Sequence, residues 1–121
     1  MDKVVISSEM TPSVSGAPYS PAITIGQFVY TSGQVSDDPE ADIKTQTRQV
    51  LEKVKVLLEA AGTSMNNVVK CTVFLRDIND FASMNEVYKG FFGDKLPARS
   101  CVEAGLLKTY LVEIEAVAFI Q

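Results

Sequence analysis

One stretch of this chain constrains its fold more than any other. Between Ile43 and Ala61 the apolar residues Ile43, Val50, Leu51, Val54, Leu57, Leu58 and Ala61 recur at 3.6-residue spacing. They therefore form a single stripe along one side of a helix. Asp38-Pro39 marks its predicted opening, with proline favoured in a first turn, and Gly62 supplies the stop. A second, shorter helix follows the same logic. Asp77-Ile78-Asn79-Asp80 offers capping side chains, Phe81, Met84, Tyr88 and Phe91 form the apolar side, and Gly93 ends it. A helix with one apolar side packs against one layer only.

What the helices must cover is a sheet. Short β-rich runs lie at Val4 to Ser7, Ile23 to Ile25 and Phe28 to Ser32, the last two forming a hairpin through Gly26-Gln27. Further strands are predicted at Val68 to Leu75, Ser100 to Ala104 and Leu111 to Ile120. The order is βββαβαββ. It predicts an α+β fold in which both helices lie on one face of a mixed six-stranded sheet. The length suits one domain spanning residues 1–121. The other sheet face has no helix, and if it is apolar another subunit must cover it.

The last strand sorts its side chains by alternation. Val112, Ile114, Ala116, Ala118 and Ile120 belong under the helices. Leu111, Glu113, Glu115, Val117 and Phe119 point the other way, so two carboxylates sit on a mostly apolar face. On the preceding strand the same alternation groups Arg99, Cys101 and Glu103 against Ser100, Val102 and Ala104. Alternation alone does not separate Glu113 from Glu115.

Composition removes several function classes. There is no histidine, which excludes Ser-His-Asp and Cys-His nucleophiles and histidine-based zinc sites. Neither G-x-x-x-x-G-K-[ST] nor G-x-G-x-x-G occurs. The net charge of −4 and the scattered Lys and Arg residues give no basic stripe, so a nucleic-acid partner is not expected. Cys71 and Cys101 lie in apolar runs outside any C-x-x-C pair and read as small buried thiols of a reducing compartment. With no signal peptide or membrane span evident, cytoplasmic residence is the expectation.

Several segments resemble one family. They are Pro18-Tyr19-Ser20, Thr31-Ser32-Gly33-Gln34, Gln46 to Glu52 with Glu59-Ala60-Ala61-Gly62, Val69 to Asp77, Asp80-Phe81, Asn85 to Tyr88 and Phe91-Phe92. Pro97-Ala98-Arg99-Ser100-Cys101-Val102-Glu103 and Val112-Glu113-Ile114-Glu115-Ala116 resemble the signature of the reactive-intermediate-deaminase (Rid, YjgF-type) family. The likeness runs from about Tyr19 to Ala118. It departs in the segment between Gln34 and the first helix, a connection shorter than is usual. It departs at Ala17, where Gly commonly precedes Pro-Tyr, and at Ala104 to Tyr110, where the family often has Val-Ala-x-Leu-Pro.

The resemblance implies a chorismate-mutase-like fold, a homotrimer with clefts between subunits, and hydrolytic deamination of 2-imino or 2-enamino acids to 2-keto acids without a cofactor or metal. It implies that Arg99 binds the substrate carboxylate, for which a planar guanidinium offers a two-pronged fit that lysine lacks. It favours Glu113 over Glu115 as the group holding the attacking water, and it puts the backbone of Cys101 at the cleft. Tyr19, Ser32, Gly33 and Asn85 match ligand-contacting or interface positions. Read one at a time, these residues have ordinary roles: an exposed ion pair for Arg99, a partner for it in Glu113, a packed loop aromatic in Tyr19 and a strand-end turn at Ser32. Two other functions fit the same scaffold, an endoribonuclease acting on RNA and a non-catalytic trimer that binds small carboxylates.

Overall fold

The computed structural model describes all 121 residues. Six strands, β1 (Val4–Ile6), β2 (Ala22–Ile25), β3 (Phe28–Thr31), β4 (Val68–Leu75), β5 (Ala98–Glu103) and β6 (Val112–Phe119), form one sheet in the order β1-β2-β3-β6-β4-β5. Helices α1 (Ile43–Ala60) and α2 (Phe81–Tyr88) connect β3 to β4 and β4 to β5. All neighbours are antiparallel except β4 and β5. A parallel pair needs a crossover connection, which α2 provides. The sheet is thus mixed, and the element order is the one expected.

The core lies between the helices and one sheet face. Val50, Leu51, Val54, Leu57 and Leu58 of α1 are fully buried, and Met84 of α2 joins them. Val112, Ile114, Ala116 and Ala118 of β6 meet these side chains, as the alternation of that strand requires. Burying a leucine contributes about 1.5–3 kcal/mol, so the α1 stripe is the main anchor of the fold. Beyond α1, Gly62 adopts φ +92°, the left-handed geometry that ends a helix at little steric cost.

Some boundaries differ from expectation. Helix α1 opens at Ile43, not at Asp38-Pro39. Asp42 is the cap, accepting a 2.8 Å bond from the Thr45 N–H. Asp38 closes a turn instead, accepting from the Glu40 N–H at 2.9 Å. Strand β5 begins at Ala98, which places Arg99 inside the strand. Phe81 does not join the core: it remains 40% exposed at the start of α2. Cys71 is buried as read, whereas Cys101, on the edge strand, is only half-buried.

Register settles what alternation alone left open. Arg99, Cys101 and Glu103 stand opposite Cys71, Val73 and Leu75 of β4, whose side chains are buried beneath the helices. Glu113 and Glu115 stand opposite Phe74 and Thr72, on the helix-free face. Odd-numbered residues of β5 and β6 therefore point to opposite sides of the sheet. The helix-free face also leaves Val5, Ile25, Phe28, Tyr30 and Val102 exposed.

Candidate active site

The carboxylate region is built where the chain leaves β3. Gln34 exchanges backbone hydrogen bonds with Ile114 at 2.9 and 3.2 Å, which draws the preceding residue, Gly33, against Glu113. A Cβ placed on Gly33 would overlap Glu113 Oε2 and lie 2.8 Å from its carboxyl carbon, so only glycine leaves the carboxylate its position. The N–H of Ser32 donates to Pro21 O at 2.8 Å, and its Oγ donates to Ser20 O at 2.6 Å. These bonds tie the Tyr19 loop to the end of β3. Tyr19, Ser32, Gly33 and Glu113 line one open hollow of about 290 Å³ together with Val35, Leu107 and Tyr110.

Burial pushes the Glu113 carboxyl above its ordinary pKa, and the nearby Glu115 adds to the rise. Glu115 itself is exposed. The two glutamates share a face but not an environment: only Glu113 is half-buried against a neighbouring loop.

A second cluster lies on the helix side of β5. Arg99 Nη1 donates to Asn85 Oδ1 of α2 at 2.7 Å. The guanidinium carbon sits 4.7 Å from the Tyr88 ring centroid and 5.4 Å from that of Phe81, within cation–π range. Arg99 is half-buried yet meets no carboxylate of its own chain; the ion pairs of this molecule are Lys44–Glu86 and Lys53–Asp37. An oriented guanidinium with unspent donors can receive an external anion. Cys101 follows on the same face. Burial raises its thiol pKa and the charge of Arg99 only partly offsets this, which favours the neutral thiol near pH 7.

The seven candidate residues thus fall into two groups, Tyr19, Ser32, Gly33 and Glu113 in one, and Asn85, Arg99 and Cys101 in the other. Strand β4 separates β6 from β5, so at about 4.8 Å per strand spacing the two strands lie roughly 10 Å apart. Their functional side chains leave opposite faces. A small acid cannot touch Arg99 and Glu113 of the same chain together. Sequence reasoning passed over the rings beside Arg99 as ligands of its charge, although Phe81 and Tyr88 sit four before and three after Asn85, one turn away on either side. It also missed Val35, Leu107 and Tyr110, which carry no chemical signature in isolation.

Comparison with known proteins gives a consistent set of relatives. The family model described as Endoribonuclease L-PSP matches residues 10–120. A RutC family protein of Pyrococcus horikoshii is 52% identical over 97% of this chain and 98% of its own. The 2-iminobutanoate/2-iminopropanoate deaminase of Salmonella typhimurium is 45% identical over 93% of this chain and 94% of its own. Among solved structures, Escherichia coli TdcF with bound serine superposes with a TM-score of 0.88 at 41% identity, covering 98% of this chain and 99% of that one.

Proposed function

We propose a function from one premise: the chain belongs to the Endoribonuclease L-PSP family, which includes the Rid-type imine deaminases. It hydrolyses 2-imino and 2-enamino acids, such as 2-iminobutanoate and 2-iminopropanoate, to 2-keto acids and ammonia. The observation that carries this reading is Arg99, a half-buried guanidinium held by Asn85 and two rings with no carboxylate partner. A substrate carboxylate completes it.

The chemistry is within reach of these residues. The C2 carbon of a protonated imine is already electrophilic. Water adds to C2 while Glu113 accepts the water proton, giving a carbinolamine. Glu113 returns that proton to nitrogen, the C–N bond breaks, and ammonia leaves as the C2–O bond becomes a carbonyl, its hydroxyl proton passing to the Glu113 carboxylate and from there to the departing ammonia as ammonium. Nothing is oxidised or reduced. A carboxyl whose pKa is raised by burial is better matched to this proton shuttle than a solvated one. Ser32, Gly33 and Tyr19 shape the space beside the water, and the backbone of Cys101 borders the carboxylate end.

Because the two residue groups leave opposite sheet faces, the site forms between chains, with Arg99 from one and Glu113 from its neighbour. We assign this arrangement to a homotrimer of 121-residue domains in which the helix-free faces meet, covering Phe28, Tyr30 and their apolar neighbours. Light scattering during size exclusion is expected to give about three times the 13.2 kDa chain mass. A monomer at micromolar concentration sinks both the trimer and the shared site. No helix is long and apolar enough to cross a membrane, and with both thiols unpaired we place the protein in the cytoplasm.

Arg99→Lys tests the carboxylate grip. It keeps the charge but loses the two-pronged geometry, and a charge-assisted hydrogen bond is worth about 1.5–3 kcal/mol. Turnover of 2-iminopropanoate, generated in situ, is expected to fall about tenfold or more. Affinity for small 2-keto acids should weaken in parallel, with melting temperature and assembly mass preserved. Full activity and full keto-acid affinity in this variant would refute the role. An RNA substrate run beside the imine separates the endoribonuclease reading, which the −4 charge and absent histidines disfavour.

A further inference from the structure

The hollow around Glu113 is lined by polar and apolar residues, and part of its apolar lining is held in place by a residue outside it. Arg76, just past β4, donates from Nε to Tyr110 O at 2.7 Å and from Nη2 to Leu106 O and Lys108 O, both at 2.8 Å. Its own N–H donates to Leu111 O at 3.0 Å. With a longer 3.4 Å bond from Nη2 to Leu107 O, one guanidinium thus gathers four carbonyls of the Leu106–Tyr110 loop. Lys108 in that loop adopts φ +51°, a conformation unfavourable to a non-glycine residue, so the clamp holds a backbone that would not choose this shape unaided. The loop is fixed from two other directions. Thr109 Oγ1 lies 2.7 Å from Glu40 Oε1, and the fully buried Gln46 accepts from the Leu111 N–H at 2.9 Å.

This fixed loop presents two apolar side chains to the hollow. Tyr110 and Leu107 face it together with Tyr19 and Val35, and Leu107 is 82% exposed. A leucine left so exposed on a heavily bonded loop has unburied apolar surface for a ligand to cover. Glu113 lines the same hollow, so a substrate whose C2 meets the water there lies beside this wall. Within one chain the hollow measures about 290 Å³, near the lower limit of ordinary ligand pockets, and in the proposed assembly a neighbouring chain bounds it further. A second acidic group there would lose its hydration against Leu107 and face the charge of Glu113.

We propose that the Leu106–Tyr110 loop, fixed by Arg76, is a specificity wall that selects 2-imino acids with branched or aromatic apolar side chains over those with acidic ones. Arg76 is a positioning residue: it acts through the loop and touches no substrate. The proposal rests on the imine-hydrolase reading, and it makes a separate claim about which side chain is preferred.

The test compares imines of leucine, phenylalanine, alanine and glutamate, generated in situ by an amino acid oxidase, in the full-length protein. The leucine and phenylalanine imines should exceed the glutamate imine in kcat/KM by about tenfold or more. Arg76→Gln and Leu107→Ser should each shrink that ratio severalfold, chiefly through KM for the apolar substrates. Arg76→Lys, which can still bond carbonyls, should retain part of the preference. Calorimetric binding of 4-methyl-2-oxopentanoate against 2-oxoglutarate reads the same preference without turnover. If no imine is hydrolysed but the keto-acid preference appears and falls in both variants, the wall stands and the catalytic reading fails. If all imines are hydrolysed equally, or the ratio is unchanged in folded Arg76→Gln and Leu107→Ser proteins, the wall is overturned while the catalytic reading survives.

Discussion

Glu113→Gln is expected to lower imine hydrolysis by about 10²- to 10⁴-fold, the usual cost of losing a positioned proton acceptor. Spontaneous hydrolysis of free imines sets the floor of the measurement. Glu115→Gln, on the same strand and face but exposed, should stay close to the parent. The pH profile carries the same information. Glu113 accepts a proton only when ionised, and burial and Glu115 hold its pKa above the ordinary carboxylate value. Activity should therefore fall as pH drops through that raised value, and the Gln variant should lose this acid limb. Stability runs the other way. A carboxyl whose pKa rises on folding stabilises the fold when protonated, below the ordinary range, and that contribution is lost as pH rises through the folded value. Above that raised value the ionised Glu113 is a burden on the fold, so there Glu113→Gln should melt no lower than the parent. Equal, mild losses from both glutamate variants would mean that Glu113 is structural.

Gly33→Ala is expected to be nearly as damaging, although it adds one methyl group and removes no functional atom. That methyl would occupy the place of Glu113 Oε2. Either the carboxylate swings away or the Gln34–Ile114 bridge opens. A displacement of about 1 Å at a reacting group costs on the order of 10²-fold. Assayed with 2-iminopropanoate, kcat should fall more than KM rises, since Arg99 still grips the carboxylate. The double variant Gly33→Ala, Glu113→Gln should be scarcely worse than Glu113→Gln alone, because the methyl acts only by moving the carboxylate. Fully additive losses would show that Gly33 serves the fold or the substrate directly.

The architecture was legible because burial writes itself into periodicity. The α1 stripe and the alternation of β6 predict which side chains are covered, and Val50, Leu51, Val54, Leu57, Leu58, Val112, Ile114, Ala116 and Ala118 are buried in the core, with Ile43, Ala61 and Ile120 half-buried at its margin. The start of α1 was harder, since Asp38 and Asp42 are both competent caps and local turn chemistry chose between them. The division of the site was not legible at all. Alternation tells which residues within one strand share a face, but the relation between β5 and β6 depends on how each pairs with β4. Arg99 and Glu113 carry the same parity and still leave opposite sides. The Arg76 clamp was hidden for another reason. Its partners are carbonyl oxygens, which every residue possesses, so no side-chain pattern announces them.

The separation of Arg99 from Glu113 across one sheet has a genetic reading. In the proposed trimer no chain owns a site; each lends half to one neighbour and half to the other. A chain crippled at Arg99 and a chain crippled at Glu113 are each inactive as pure populations, yet when co-expressed they can pair the intact guanidinium of one with the intact carboxylate of the other. Random assortment of equal amounts would restore about a quarter of the clefts. A chain carrying both lesions behaves differently, since it spoils the cleft on either side of itself and acts as a poison subunit in mixed assemblies. Loss of function at this locus would then depend on which lesions share a chain as well as on how many residues are lost.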